Sequence, residues 1–241
     1  MMQNPIQSDP LPRVFALSEN ATYCDVGASI IAMNTASDRY LLIAGRQAGW
    51  FHELRLTRSA ADLSPEAGRF ASILEMHGIL APRNARGRLI VPFSYPQATA
   101  SLIDTPAPHV ANVSPIAALR FLQAFLRAKS LQGPGPVTPH LAAVRSWKQR
   151  LPSHVGAAGA PLASYVLPYQ TLSTLFVTTQ DACLPRSLLL LAYLALRGVR
   201  ADLVFGVRLS PFMAHCWVQQ GRTVLNDHLE NTASFTQIFA A

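Results

Sequence analysis

The sequence predicts an α+β protein of two domains joined by a proline-rich segment, and three observations lead to this prediction. Over residues 14–92, apolar residues follow first a strand-like and then a helical pattern. Five prolines from Val91 to Pro115 then interrupt any regular pattern. Beyond them, helical patterns precede strand patterns, an order typical of the α+β class. The predicted domains are therefore residues 14–92 and 114–241, with residues 93–113 as a linker.

The first domain is predicted to hold short strands, two helices and a final strand. Its second helix has the clearest ends, because Ser64 suits the N-cap, Pro65 the first turn and Gly78 the terminus. This order of elements is typical of a small winged-helix-like module. The predicted elements are strands within Ala21–Ile43 around a turn at Asn34–Asp38, helices over Ala44–Leu54 and Ser64–Leu80, a turn at Asn84–Gly87 and a strand over Arg88–Val91.

The second domain is predicted to place helices before an antiparallel sheet. In its first helix, a stripe of large apolar residues recurs at helical spacing, namely Leu119, Leu122, Phe125 and Leu126. Gln220-Gly221 supplies the turn between the last two strands. The predicted elements are helices over Ser114–Leu131, His140–Arg150 and Leu184–Leu196, and strands over Asp202–Arg208, Met213–Gln219 and Thr223–Leu225.

Charge and composition exclude several classes of protein. The net charge of +7 is concentrated in residues 93–150, which hold 6 basic and 1 acidic side chains and form no dense basic block, so nucleic acid is not an expected partner. The apolar run Leu188–Leu196 is too short to cross a membrane. No secretion signal is visible at the start, and three cysteines do not make a disulfide framework. These features predict a cytoplasmic protein.

Cys183 is the first candidate for chemistry, because it stands where the most apolar helix begins. Free N–H groups at a helix N-terminus stabilise a thiolate and can bind an oxyanion. Asp181 is a candidate cap for this helix, and Pro185 fits its first turn. Taken alone, a cysteine on such a helix is more often an ordinary core residue.

His215 and Asp227 are candidates to act with Cys183. His215 lies near the start of one predicted strand and Asp227 just past the end of the next, so an antiparallel hairpin can bring them together. The carboxylate would then fix the imidazole tautomer that accepts the thiol proton. Taken singly, His215 suits a partly buried hydrogen-bonded position and Asp227 a turn. Cys216 is expected to face away from His215, and the spacing of these residues does not suggest a metal site.

The segment from Cys183 to about Phe239 carries C-L-P-R-S-L-L-L-L, G-V, A-H-C-W-V and N-D in that order. This series resembles the catalytic core of the transglutaminase-like B proteins of lasso-peptide biosynthesis. The resemblance implies a transglutaminase-like (papain-like) cysteine peptidase domain, with Cys183 as nucleophile, His215 as base and Asp227 as the orienting acid. Cys216 departs from the family, which commonly has a small residue such as alanine there.

The first domain resembles, more loosely, the leader-recognition domain of the same systems, a winged-helix unit that binds the precursor's leader as an added strand. An exposed edge strand pairs with an extended peptide through backbone hydrogen bonds. If Arg39–Ile43 is that edge, the groove lies between it and the helix Ser64–Met76. The candidate leader-binding residues are Arg39, Tyr40, Leu41, Leu42, Phe70 and Leu74, with core packing as the alternative role of Tyr40, Leu42, Phe70 and Leu74.

The resemblance implies a leader peptidase that needs no metal and no cofactor. Its partners would be the leader of a lasso precursor peptide and an asparagine-synthetase-like lasso cyclase that closes the ring with ATP. The basic excess in residues 93–150 would be a solvated helical face, or a docking surface for the precursor or the cyclase. Two alternatives remain: an acyltransferase of the transglutaminase or arylamine acetyltransferase type, and a non-enzymatic winged-helix protein that binds DNA.

Overall fold

The computed structural model describes most of the chain, namely residues 15–57, 59–82, 87–104, 113–131, 133, 135–151, 161–174 and 183–241. Internal contacts divide the chain into two units. The first holds the residues up to Asn34 together with Arg39–Pro92, and the second holds Thr35–Asp38 with Phe93–Ala241. Helices and strands occur in both, so the expected mixed α and β composition is confirmed.

The first unit contains a three-stranded antiparallel sheet. Its strands are β1 (Ala21–Val26), β2 (Ser29–Asn34) and β3 (Arg39–Ile43), in the spatial order β1-β2-β3. Gly27, with a φ of +60°, makes the tight turn between β1 and β2. Within the part of the chain that the structure describes, β3 pairs only with β2, so β3 is an edge strand.

In the described part of the first unit, the α-helices are α1 (Arg46–Leu56) and α2 (Pro65–Met76). The Oγ of Ser64 accepts the Ala67 N–H at 3.2 Å, so Ser64 is the N-cap that the sequence predicts. The helix ends at Met76 and not at Leu80, because the chain turns at Gly78, which has a φ of +66°.

The predicted strand over Arg88–Val91 is reduced in the structure to a single bridge. Backbone hydrogen bonds join Arg88 to Leu17 in both directions, at 2.8 and 2.9 Å. Leu17 lies outside any strand and offers no longer edge to pair with, which explains why the strand does not extend. Of the turn predicted before it, residues 84–86 lie outside the described residues.

The second unit places one short strand before its helices and the other strands of its five-stranded sheet after most of them. The helices are α3 (Pro115–Lys129), α4 (Thr138–Gln149), α5 (Ala163–Ser173) and α6 (Cys183–Leu196), followed late in the chain by α7 (Leu229–Ala233). The strands are β4 (Ala100–Ser101), β5 (Asp202–Arg208), β6 (Met213–Gln220), β7 (Thr223–Val224) and β8 (Thr236–Ala240). Their spatial order is β4-β7-β6-β5-β8, with β6 at the centre.

Helix α3 buries the face opposite to the stripe of large apolar residues that the sequence analysis identified. The residues that α3 buries are mostly small, namely Ala117, Phe121, Ala124 and Ala128. Small side chains let α3 approach α6 closely. By contrast, Leu119, Leu122 and Leu126 are each more than half exposed.

Residues 93–104 of the predicted linker belong to the second unit and pack against its sheet. β4 pairs in parallel with β7, and Gln219 Nε2 donates a hydrogen bond to the Pro96 carbonyl at 2.7 Å. The Tyr95 hydroxyl is hydrogen-bonded to the Asp202 carboxylate. Residues 105–112 of the linker lie outside the described residues. The prolines of this segment are visible in the sequence. A two-residue strand is not, because its partner strand lies more than a hundred residues later in the chain.

No helix in the described ranges is both long enough and apolar enough to cross a membrane.

Candidate active site

The structure brings Cys183, His215 and Asp227 into one chain of contacts. His215 Nε2 is hydrogen-bonded to Asp227 Oδ2, and the side chains of His215 and Cys183 are hydrogen-bonded to each other. Because Asp227 occupies Nε2, the Nδ1 atom of His215 is the nitrogen left to face the thiol. All three residues are half-buried, so none of them is enclosed in the core.

Each of the three residues lies at or near the end of a helix or strand, which determines its position. Cys183 begins α6, so its sulfur lies at the N-terminus, where unpaired N–H groups carry about half a positive elementary charge. Asp181, the candidate cap, lies outside the described residues. His215 lies on the central strand β6, and the β6–β7 hairpin returns the chain so that Asp227 lies beside it.

A half-buried amide, that of Asn226, ties α6 to this hairpin. Asn226 Oδ1 accepts the backbone N–H of Val218 at 2.7 Å, and Asn226 Nδ2 donates to Ser187 Oγ at 3.0 Å. Ser187 is fully buried and lies one helical turn after Cys183. These hydrogen bonds of Asn226 therefore fix the position of the Cys183 sulfur relative to the β6–β7 hairpin.

The contacts favour a thiolate on Cys183. The hydrogen bond from Cys216 is the largest influence on the thiol, and with those from His215 it outweighs burial and lowers the pKa of Cys183 to about 4. Burial alone would lower the pKa of His215, but its hydrogen bonds to Asp227 and Cys183 raise it to about 9. Between these two values the pair is a thiolate beside an imidazolium, which is the reactive form of a cysteine nucleophile.

We expect Cys183 to be alkylated by iodoacetamide at a nearly constant rate from about pH 5 to pH 9, because its thiolate is already formed there. Peptide mass spectrometry of the full chain after timed exposure measures this rate residue by residue. Cys24 is the internal control, since burial raises its pKa to about 12 and keeps it protonated. In His215→Ala, the rate at Cys183 should depend more steeply on pH; an unchanged profile would show that His215 does not hold the thiolate.

Asn231 is a site residue that the sequence analysis missed. Its Nδ2 atom lies 3.0 Å from both carboxylate oxygens of Asp227, and the backbone N–H of His228 donates to Oδ1 at 2.8 Å. Burial raises the pKa of Asp227, but the hydrogen bonds from His215 and Asn231 outweigh it and hold that pKa below its usual range. The sequence does show a spacing of four residues between Asp227 and Asn231. This spacing indicates a contact only once α7 is known to begin between the two residues.

Aromatic rings hold the His215 imidazole in place. The Phe235 and Trp217 rings lie 5.2 and 6.0 Å from it, measured between ring centroids. Gly206 pairs with His215 on the neighbouring strand, and a Cβ there would lie 2.8 Å from both Phe235 and Trp217. Glycine at this position lets the rings close around the histidine.

Cys216 contacts the candidate nucleophile, which the sequence analysis did not expect. Its backbone N–H and its side chain are both hydrogen-bonded to Cys183, and its side chain is also hydrogen-bonded to Ser187. Alternation along β6 turns Cys216 toward α6, while His215 contacts Trp217 on the other face. Because Cys183 lies at the end of α6, it contacts both His215 and Cys216, although these two side chains are on opposite faces of β6.

The candidate leader-binding residues of the first unit fall into two groups. Arg39 and Leu42 of β3 are exposed, and Tyr40 and Leu41 are half-buried. Two further residues on α2 lie inside the hydrophobic core, namely Phe70, which is 4% exposed, and Leu74, which is 0% exposed. For these two residues the structure shows core packing, the alternative role given in the sequence analysis, since α2 turns its apolar face toward α1 and the core.

The described residues contain no group of three or more His, Cys, Asp or Glu side chains arranged to hold a metal ion.

Comparison with known proteins finds a superfamily match for part of the second unit. Residues 137–240, which include all three candidate site residues, match the family described as the transglutaminase-like superfamily. A search of curated proteins and a search of solved structures each found no match. Members of this superfamily are typically cysteine-dependent enzymes. The chain therefore carries a transglutaminase-like superfamily domain at residues 137–240.

Proposed function

We propose that the protein is a cysteine peptidase that removes the leader from the precursor of a lasso peptide. The observation that supports it best is the continuous contact from the Cys183 thiol through His215 to Asp227 at the N-terminus of α6. The superfamily match is consistent with a peptidase or an acyltransferase. The resemblance of the motifs from Cys183 onward to lasso-peptide B proteins narrows the proposal to leader removal.

The proposed reaction has two halves, formation of a thioester on Cys183 and hydrolysis of that thioester. The Cys183 thiolate attacks the carbonyl carbon of the last leader residue, and N–H groups at the start of α6 stabilise the oxyanion. His215 donates its proton to the leaving amine, so the core peptide departs with a free N-terminus and the leader remains as a thioester. Neutral His215 then takes a proton from water as it attacks, which releases the leader acid and restores the thiolate.

The direct test mixes the full chain with the precursor peptide encoded beside its gene and follows the products by mass spectrometry. We expect cleavage at one junction, giving a leader with a free carboxylate and an unmodified core. The mass of the leader also tests the acyltransferase alternative. If an added primary amine is incorporated into the leader in place of water, the protein is an acyltransferase, which the superfamily match equally allows. Failure to consume the precursor would contradict both.

We also propose that the first unit binds the leader along β3, as a winged-helix-like recognition domain would. The strand is an edge among the described residues, and Arg39 and Leu42 are exposed on it. An extended leader can add to this edge by backbone hydrogen bonds, with side chains on β3 giving selectivity. Phe70 and Leu74 are buried in the core, so the proposed binding surface does not include them.

The change Leu42→Glu in the full chain is expected to weaken leader binding about tenfold, because it removes an apolar contact worth about 1.4 kcal/mol. Fluorescence anisotropy of a labelled leader peptide measures the affinity. Leu56→Glu is the matched control, since Leu56 is 76% exposed on α1 and lies away from the strand in sequence. Equal affinities for Leu42→Glu and the unchanged protein would contradict the assignment of β3.

The partner of this reaction would be an asparagine-synthetase-like cyclase that receives the freed core peptide and closes its ring with ATP. This part of the proposal rests on the resemblance of the motifs and on the chemistry of the product, a peptide with a free N-terminal amine. Because the cyclase requires ATP, the proposed function implies a cytoplasmic location. Co-expression of this chain with such a cyclase tests the partnership: the two should co-purify, and separate elution would contradict it.

A further inference from the structure

One thiol of the site takes no covalent part in the proposed peptidase chemistry. Cys216 is 3% exposed and belongs to none of the steps by which Cys183, His215 and Asp227 cleave a peptide bond. Its side chain nevertheless lies in hydrogen-bond contact with that of Cys183. Both cysteines are free thiols in the structure.

The surrounding contacts hold the two sulfurs beside each other. Cys183 and Ser187 are four residues apart on α6 and therefore share one face of the helix. Cys216 is hydrogen-bonded to both of them. Asn226 joins that face of α6 to the backbone of β6 through hydrogen bonds of 3.0 and 2.7 Å, so the helix and the strand are held together next to the thiols.

The two thiols differ in access and in protonation. Cys183 is half-buried, whereas Cys216 lies behind it and is almost completely buried. A small oxidant therefore reaches Cys183 first. Hydrogen bonding to Cys183 and burial keep the pKa of Cys216 well above its usual value, so Cys216 remains a thiol while Cys183 is a thiolate. Redox-sensitive cysteines share this pattern of an accessible thiolate next to a second cysteine.

We propose that Cys183 and Cys216 form an oxidation site, in which a hydroperoxide oxidises Cys183 and Cys216 captures the product as an intrachain disulfide. The proposal concerns the two thiols and does not depend on the proposed peptidase activity. It assigns a role to the residue at which this chain departs from the family it resembles.

The reaction balances in two steps. The Cys183 thiolate attacks one oxygen of the peroxide, the O–O bond breaks, and Cys183 becomes a sulfenic acid while hydroxide leaves. The sulfur of Cys216 then attacks the sulfenic sulfur, the S–O bond breaks, and the departing hydroxide takes the Cys216 proton to form water. Sulfur loses two electrons in total and the peroxide gains them. The resulting disulfide removes the nucleophile and protects it from further oxidation, and a dithiol reductant restores it.

The test treats the reduced full chain with hydrogen peroxide, blocks remaining thiols under denaturing conditions and digests with trypsin. Cys183 falls in the tryptic peptide 151–186 and Cys216 in the peptide 209–222. We expect these two peptides to appear joined, with a combined mass about 2 Da below the sum, and to separate after reduction with dithiothreitol. No substrate is involved, so this result stands or fails separately from the peptidase proposal.

Two variants make the test specific. In Cys216→Ser, whose hydroxyl can still donate a hydrogen bond to Cys183, Cys183 should accumulate as sulfinic acid, about 32 Da heavier and resistant to dithiothreitol, on the order of tenfold faster than in the unchanged chain. Cys24→Ala is the matched control, because Cys24 is buried in the first unit, and it should form the same linked peptides. The absence of linked peptides, a disulfide that includes Cys24, or equal rates of sulfinic acid formation with and without Cys216 would each overturn the proposal.

Discussion

Cys183→Ala is expected to abolish cleavage of the precursor peptide, with a loss of about 10⁴-fold or more in kcat. Alanine has no sulfur to form the thioester. No other described cysteine lies at the start of α6 with its side chain hydrogen-bonded to His215. Quantitative mass spectrometry of the released core under single-turnover conditions measures the loss. His215→Ala should lose a similar amount, because the thiolate, the leaving-group proton and the attack of water all depend on that imidazole.

The control for this loss is Cys24→Ala. It makes the same chemical change at a buried cysteine of the first unit, and cleavage should continue at nearly the unchanged rate. Binding of the labelled leader separates chemistry from recognition, since Cys183→Ala should retain full affinity. If Cys183→Ala still cleaves the precursor at the native junction, the sulfur is not the nucleophile and the proposed mechanism is wrong.

The candidate site was readable from the sequence because its three residues lie at ends of strongly marked elements. The apolar run after Cys183 predicts α6, and Gln220-Gly221 predicts the β6–β7 hairpin whose return brings Asp227 beside His215. An antiparallel hairpin converts a separation of twelve residues into contact. The catalytic roles of the three residues remain a prediction.

The parts of the fold that the sequence analysis missed are those that depend on distant partners. β4 is two residues long and exists because β7 offers it an edge, and β8 pairs with β5 about thirty residues earlier. In α3 both faces are apolar, and the pattern does not reveal that the small residues, and not Leu119 and Leu122, pack on α6. Asn231 was missed for the same reason, because its role appears only when α7 lies against Asp227.

The change Asp227→Asn is expected to reduce kcat by about 10² to 10⁴-fold, because it presents His215 with the wrong hydrogen-bonding group. Three donors converge on the Asp227 carboxylate, from His215, His228 and Asn231. An amide has a single acceptor oxygen, and turning that oxygen toward His228 and Asn231 leaves its NH₂ group facing His215. The imidazole must then carry its proton on Nδ1, where it can no longer accept the thiol proton.

The pH dependence of kcat separates this effect from a general loss of structure. Without the carboxylate, the pKa of His215 should fall below its value of about 9, so the alkaline limb of the profile should move to lower pH while the acid limb changes less. A variant that only destabilises the fold would lose activity evenly across the range, together with a lower Tm by calorimetry.

The pair Asp227→Asn and Asn231→Asp gives the sharpest test, because it exchanges the acid and the amide across a 3.0 Å contact. Asn231→Asp alone places two carboxylates together and should also impair cleavage, since mutual repulsion raises their pKa values. In the double variant, the carboxylate at position 231 accepts the amide N–H at position 227, which turns the amide oxygen toward His215 and restores the tautomer that faces Cys183. We therefore expect the double variant to recover at least about tenfold of the loss in Asp227→Asn, a coupling of about 1.4 kcal/mol. Strictly additive losses would show that Asp227 acts on His215 without any orientation by Asn231.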